Sequence, residues 1–549
     1  MKRNGIYFFI AFISLVVIGY WFLQREDTPF NNSNYKEIDD FESGKPLEGG
    51  AGIGVSSSNP YAVQVGMDIL ENGGNAVDAA IAISYALGVV EPHASGIGGG
   101  GGMLILPGDK DRAPTFFDYR ETSPISGSHP TRGVGIPGFV KGMDVIHRKY
   151  GTKTMADLID PSIKLAEKGF PVQQPLQGLL KRSDHYRLSV KNLPSFYPNG
   201  RTIKQDELLT QPELAETLKL IKEQGPDAFY NGKIAEDIAR KVDGISLSDI
   251  RAYSAYEREP VYGEFLGYEV ITAPPPFSGI TLIQSLQMAE MLKVQELAND
   301  PINFMHVTRE IFKRTYSKRI QYIGDPDFVG IPVKKLTAMD YSKQLAADIS
   351  YEKQSDQYEI DDDDLNEESV STTHLVVTDK EGTVVSATNT LGHFFGTGIN
   401  VRGFFLNGSV NMFSDYSSSP NNFESGKRSR TFTAPTILRN DERTIGIGTP
   451  GGARIPVMLT EVLIRYLGFD ESLETAIEAP RFSFENNKIT TETRYPAEVT
   501  DELNAKGYHV EMNNSTLYFG GIQTLVIDEN EENIYGGADS RRGGTWQVK

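Results

Sequence analysis

From residue 352 to 371 the chain carries nine acidic residues and one basic one. At Thr372 it changes into two runs of β-forming residues, 373–378 and 383–389, joined by Asp379-Lys380-Glu381-Gly382. An acidic stretch this dense cannot bury itself, so it is expected to be a mobile, solvated segment. The pattern after it predicts a β-hairpin. With the fold-back centre between Lys380 and Glu381, residue 372 mirrors residue 389 and Thr390 falls beside Thr372, so two hydroxyls meet at one end. A threonine inside a chain is a poor nucleophile, because nothing nearby takes its proton. At a new N-terminus its own α-amino group, with an unperturbed pKa of about 8, serves as general base. An easily vacated segment just upstream is what a break at Ser371-Thr372 requires, although two threonines in a strand are more often simply β formers.

Composition narrows the chemistry. The 549 residues, 39% hydrophobic, suffice for a large core in more than one domain or one large α/β unit. The formal charge of −19 argues against nucleic-acid binding, so any anionic ligand must be held by local basic groups. Cysteine is absent, which excludes disulfides, zinc–thiolate sites and thiol nucleophiles. The eight histidines form no His-x-x-x-His pair, the acidic run lacks the spacing and central glycine of a calcium loop, and no nucleophile elbow precedes a helix. No metal and no cofactor are expected.

Residues 1–4 carry Lys2 and Arg3 ahead of a largely apolar stretch, 5–23, long enough to span a bilayer. The charge placement puts 1–4 in the cytoplasm and everything after Gln24 outside the cell. A signal anchor is the favoured reading, with a cleaved signal peptide as the alternative; both place the protein at the cell surface or beyond, with the membrane as partner of the N-terminal segment. Residues 24–48 read as a tether.

Further on, Asn59-Pro60 is a helix start, Gly73-Gly74 a break, and 75–90 a small-residue helix suited to close packing on a sheet. The run Gly96-x-Gly98-x-x-Gly101 formally matches a dinucleotide fingerprint. A helix precedes it and a strand beginning near Met103 follows, the reverse of the order a nucleotide site needs, so it reads as a close-packing loop. Residues 155–240 read as mixed helices, and Phe304, Val307 and Ile311 keep helical spacing.

The stretch Thr372-Thr373-His374-Leu375-Val376-Val377, with Asp379, Gly382 and Thr390, resembles the start of the small subunit in the γ-glutamyltransferase family of N-terminal-nucleophile hydrolases. The resemblance extends to Gly74-Asn75-Ala76-Val77-Asp78, Asp118-Tyr119-Arg120-Glu121, Pro274-Pro275-Pro276-Phe277-Ser278-Gly279, Gly396-Thr397-Gly398 and Pro450-Gly451-Gly452-x-Arg454. Segments around His93 to Gly102, Gly426 to Phe432, and Arg541-Arg542-x-Gly544-Thr545-Trp546 are similar to members that act on capsular poly-γ-glutamate.

The resemblance implies an α/β, four-layer αββα sandwich formed by two chains of one precursor. The large subunit would be 49–371, ending in the acidic linker 352–371, and the small catalytic subunit 372–549. It also implies self-cleavage between Ser371 and Thr372, Thr372 as nucleophile, Thr390 holding it, and Gly451 and Gly452 facing the oxyanion. Arg120 would grip the substrate α-carboxylate.

Departures from the family pattern point to the substrate. Met412 stands where glutathione-acting relatives have an aspartate for the α-ammonium, Gly392 replaces an asparagine, and Thr431 and Phe432 replace a serine pair. The stretch 413–427 is short compared with relatives that have a lid. These changes suit the interior of poly-γ-glutamate, where α-amino groups are acylated, α-carboxylates repeat, and an open cleft admits a polymer. Lys427, Arg428, Arg430, Arg454, Arg541 and Arg542 are the basic groups expected to meet those carboxylates, with a peptidoglycan amine as a possible acceptor. A glutathione-type γ-glutamyltransferase and a non-catalytic capsule-binding surface protein are the competing readings.

Overall fold

The computed structural model describes residues 52–355, 358, 371–485 and 487–549. The expected signal anchor and tether, and most of the expected acidic segment, lie outside the described residues. Among the described residues no helix is long and apolar enough to cross a membrane.

Two sheets form the centre. The first has seven strands in the order Thr545–Val548, Gly54–Ser57, Ser371–Thr378, Val384–Gly392, Gly100–Leu106, Thr115–Asp118 and Tyr256–Arg258. The second has six, in the order Asn533–Ala538, Gln523–Asp528, Arg443–Gly448, Thr436–Arg439, Tyr268–Thr272 and Val261–Phe265. The two strands of the hairpin that begins at Ser371 thus sit inside the first sheet, buried along their whole lengths. Both faces of such a strand must be apolar or hydrogen-bonded, which the run Leu375-Val376-Val377 meets.

The sheets pack closely because glycines of the second face bulky residues of the first. A Cβ on Gly446 would lie 2.5 Å from Val376 Cγ1, and one on Gly448 would lie 2.1 Å from His374 Cε1. His374 fills this interface, with Nδ1 2.8 Å from Thr388 Oγ1, and burial pushes its pKa down to about 3. It is therefore a neutral packing residue.

Helices cover both outer faces. On the first sheet lie Pro60–Glu71 and Ala76–Val90. Asn59 caps the former through Tyr61 N at 3.1 Å, and Asn75 with Asp78 forms a reciprocal capping box on the latter. Gly66 permits their contact, since a Cβ there would lie 2.4 Å from Ile83 Cδ1. Over the second sheet, Gly279–Met291, Pro301–Tyr322 and Ile455–Leu463 share one apolar core with its strands. The result is the four-layer αββα sandwich. Helices recur through 155–240, and Phe304, Val307 and Ile311 lie buried in Pro301–Tyr322.

Two details differ from the sequence expectation. The hairpin register places Thr372 directly opposite Thr390, not residue 389. The turn is the odd, five-residue span 379–383, in which the Asp379 carboxylate accepts from the N–H groups of Glu381 and Thr383 at 3.1 and 2.9 Å. That extra residue moves the pairing by one place. The strand after the glycine run begins at Gly100 rather than Met103. A Cβ on Gly99 would lie 2.1 Å from Thr390 O, and one on Gly101 would lie 2.2 Å from Thr388 O, so the bare backbone lies flush against the Thr390 strand.

Candidate active site

At the open end of the hairpin the two threonine hydroxyls meet over one carbonyl. Thr372 Oγ1 donates to Ser371 O at 2.5 Å, Thr390 Oγ1 donates to the same oxygen at 2.7 Å, and the two hydroxyl oxygens are 3.2 Å apart. Gly392 N donates to Thr390 Oγ1 at 2.9 Å, which fixes that side chain. Directly opposed strand residues make this possible, because their side chains leave the sheet on the same face. Both threonines are nearly sealed, at 4% and 3% exposure. With Thr390 donating to the Ser371 oxygen, the carbonyl is polarised, and the Thr372 side chain is already turned toward it.

Gly451 and Gly452 lie buried at the turn leading into the helix Ile455–Leu463, with φ of +152° and +59°, a region that favours glycine. Tyr316 holds this turn by donating its hydroxyl to Ala453 O.

Arg120 is fully buried. Its Nη1 lies 3.0 Å from Glu121 Oε2, and its Nη2 reaches Ser429 Oγ at 3.0 Å and Met412 Sδ at 3.4 Å. Burial lifts the Glu121 carboxyl above its ordinary value against the pull of Arg120. Gly392, with φ +86°, approaches the same thioether; a Cβ there would lie 2.7 Å from Met412 Cε. The structure therefore brings together Arg120, Met412 and Gly392, three positions far apart in sequence. Thr431 lies close by in the chain, its hydroxyl 3.2 Å from that of Thr433, and the Arg319 guanidinium stacks 3.5 Å from the centre of the Phe432 ring.

The other basic residues singled out from sequence do not gather at one place. Arg428 is buried against Asp118 at 3.4 Å and over Tyr256. Arg541 is held by Glu492 and Asp539, at 2.6 and 3.2 Å, and by carbonyls at the end of the helix Leu473–Glu478. Lys427 pairs with Glu424 at 2.8 Å, and Arg430 is buried with its backbone N–H on Asn421. Arg542 donates to Leu517 O at 2.6 Å; burial pushes its pKa down to about 10 despite the attraction of Glu91. Such partners hold these side chains in the fold, and none of Lys427, Arg428, Arg430, Arg541 and Arg542 is among the residues that line the cleft described next. Arg454 alone among them lines an open cleft of about 540 Å³. That cleft is bounded on one side by 393–397, directly after Thr390, and on another by the Gly451-Gly452 turn through Arg454.

Some site residues were missed from sequence. Ser95 accepts the Thr373 hydroxyl at 2.9 Å, Ser429 holds Arg120, and Asn421 bridges Met412 O and Arg430 N at 2.7 and 2.8 Å. Arg132, Arg182 and Arg187 line the cleft. Ser95 and Ser429 lie within the segments His93 to Gly102 and Gly426 to Phe432, where the resemblance gave them no role; nothing local marks Asn421, and the cluster Arg182, His185, Arg187 was a visible charge signal.

Comparison with known proteins agrees with this geometry. The family model for gamma-glutamyltranspeptidase matches residues 62–548. The capsule biosynthesis protein CapD proenzyme of Bacillus anthracis is 47% identical over 495 residues, covering 90% of each chain. The glutathione hydrolase proenzyme of Bacillus subtilis is 33% identical over 591 residues, covering 99% of this chain and 98% of the relative. Among solved structures, cephalosporin acylase from Bacillus halodurans superposes with a TM-score of 0.82 at 23% identity, covering 93% of this chain and 98% of that one, which speaks for the fold alone. The chain belongs to the γ-glutamyltranspeptidase family of N-terminal-nucleophile hydrolases, and it is an enzyme of γ-glutamyl transfer and hydrolysis.

Proposed function

We propose that the protein is a self-cleaving γ-glutamyltransferase that cuts poly-γ-glutamate at the cell surface, tethered by 5–23, and passes the acyl group to water or to a cell-wall amine. The observation that carries this reading is the convergence of the Thr372 and Thr390 hydroxyls on the Ser371 carbonyl.

In the first step Thr372 Oγ1 attacks the Ser371 carbonyl carbon, and the proton leaves with the departing amide nitrogen. The C–N bond breaks as an ester forms, and Thr372 gains a free α-amine. Water then hydrolyses the ester, leaving Ser371 with a carboxylate and Thr372 as a new N-terminus. In the second step the amine takes the hydroxyl proton as Oγ1 attacks a γ-glutamyl carbonyl. The leaving α-amine of the next residue carries that proton away, and water or an acceptor amine attacks the acyl-enzyme. Gly451 and Gly452 N–H groups serve the developing oxyanion, a role in which one donor is worth about 3 kcal/mol.

Arg120 serves the α-carboxylate of the reacting residue. Beside it stands the Met412 thioether, a group with no charge to offer an α-ammonium. This favours an acylated nitrogen, as found inside a polymer, over free glutathione, and the name of the Bacillus anthracis relative points the same way. The test is size analysis of poly-γ-glutamate incubated with mature protein, set beside hydrolysis of glutathione. Faster turnover of glutathione than of polymer would replace the polymer as substrate.

A further inference from the structure

The cleft beyond Thr390 is lined by Arg132, Arg182, His185, Arg187, His393 and Arg454. In a chain with 73 acidic and 54 basic residues, cations are normally neutralised, as Arg428, Arg541 and Lys427 are by Asp118, Glu492 and Glu424. The four cleft arginines differ: among the described residues none has a carboxylate partner. The acidic residue in the lining, Glu485, is itself paired with Lys488 at 3.1 Å. Three exposed arginines and the half-buried Arg454, without carboxylates and lining one concave wall, make a local positive field against an acidic background.

Three of these side chains, Arg132, Arg182 and Arg454, are held in place by neutral groups that leave the charge available. Arg132 Nη1 donates to Thr397 O at 3.0 Å and toward Arg187 O at 3.4 Å. Arg182 lies over the Tyr186 ring at 5.6 Å. Arg454 lies over the Tyr518 ring at 3.9 Å and donates Nε to Tyr518 O at 2.8 Å. The loop carrying Arg182 and Arg187 is seated on Gly398, where a Cβ would lie 2.5 Å from Tyr186 O. Ordering supplied by the protein lowers the cost of binding a flexible anion.

We propose that this cleft is a polyanion site that holds non-reacting residues of the γ-linked chain by their α-carboxylates. Arg132, Arg182 and Arg187 thereby set the preference for polymer over short γ-glutamyl substrates. Guanidinium groups suit this task because each offers a carboxylate two parallel donors. A lone γ-glutamyl group needs one such clamp at the reacting residue; a row of four suits a ligand with a carboxylate on every unit. This inference rests on the polymer reading of the previous section and assigns the residues that enforce it.

The test uses mature wild-type protein and the variants Arg182→Gln/Arg187→Gln, Arg132→Gln and Arg182→Lys/Arg187→Lys. Substrates are poly-γ-glutamate and γ-glutamyl-4-nitroanilide. In the glutamine variants the polymer-to-anilide ratio of kcat/KM should fall about tenfold, through KM for polymer, and the rise of that KM with salt should flatten. The lysine variant should retain most of the ratio. An unchanged ratio, or a lysine variant as impaired as the glutamine one, overturns the proposal while leaving polymer cleavage standing. If wild-type protein turns over anilide and leaves polymer intact, the substrate reading falls. The cleft is then judged by competition: polymer must inhibit anilide turnover more strongly in wild type than in the double glutamine variant, and absence of that difference overturns the cleft site too.

Discussion

The nucleophile end of the hairpin and the cleft wall beside it are built from opposite materials. Around Thr372 the groups that meet the Ser371 carbonyl are two hydroxyls, one of them fixed by the backbone N–H of Gly392, and both threonines are nearly sealed. In the cleft, arginines stand in the open on carbonyl and aromatic supports. A charge beside a sealed hydroxyl pair would need a partner and would carry a large desolvation cost. A chain that releases its own amine on cleavage needs no resident base there. Recognition of an anionic chain is the reverse problem, because only charge left unneutralised at a wet surface can attract it. On the proposed reading chemistry and recognition are separable in this molecule, and substitutions should separate them.

The largest effect belongs to Thr372→Ala. It should leave one uncleaved chain on a denaturing gel and abolish turnover of both polymer and anilide; a cleaved, active variant would remove the nucleophile from the hairpin altogether. Next comes Thr390→Ala, which deletes the hydroxyl donating to Ser371 O. Loss of one such donor slows reaction by roughly a hundredfold or more, so chain cleavage followed over time should slow to that degree, with Thr390→Ser restoring it. Cleavage at the wild-type rate would show that the hydroxyl pair is ordinary strand packing.

Much of the nucleophile region was legible in the sequence, whereas the cleft was not. Alternation and turn residues around Asp379 and Gly382 gave the hairpin and set Thr390 beside Thr372, and family resemblance supplied their roles and the Gly451-Gly452 turn. The register missed by one because the Asp379 carboxylate closes a five-residue turn, a choice made by side-chain hydrogen bonds that periodicity does not encode. Basic residues could be counted from sequence but not sorted. Arg541 and Arg428 have carboxylates at remote positions, Glu492 and Asp118, while Arg132 donates to the backbone oxygens of Thr397 and Arg187. Whether an arginine is neutralised is a tertiary fact, so local sequence could not separate the paired arginines from those that line the cleft.

A smaller effect is expected where the two regions are joined. Gly398, with φ +72°, lies between them, and its missing Cβ lets the loop carrying Arg182 and Arg187 settle against the segment that follows Thr390. Gly398→Ala should push that loop outward and raise KM for polymer by about threefold, since a strained non-glycine residue costs on the order of 1–3 kcal/mol that relaxation of the loop partly absorbs. Chain cleavage should proceed as in wild type, because the hairpin pairing lies upstream. A variant with slowed cleavage and unaltered polymer kinetics would break the separation.

The smallest effect sharpens the comparison with a charge that belongs to neither region. Glu461 is buried in the helix Ile455–Leu463, and burial pushes its pKa up to about 8 against the attraction of Arg465 and Arg481. Those two cations already have carboxylates in Glu471 and Asp539, at 2.9 and 2.6 Å. A carboxyl raised in the folded state favours folding while protonated, so its contribution is complete below about 4.5 and is lost as pH rises through about 8. Glu461→Gln stays neutral throughout, so its Tm should fall less than that of wild type between about pH 5 and about pH 9. The polymer-to-anilide ratio should not move. A variant whose Tm falls as steeply as that of wild type would mean that Glu461 stays ionised inside the fold, and that interior carboxylates here are neutralised more fully than the cleft comparison assumes.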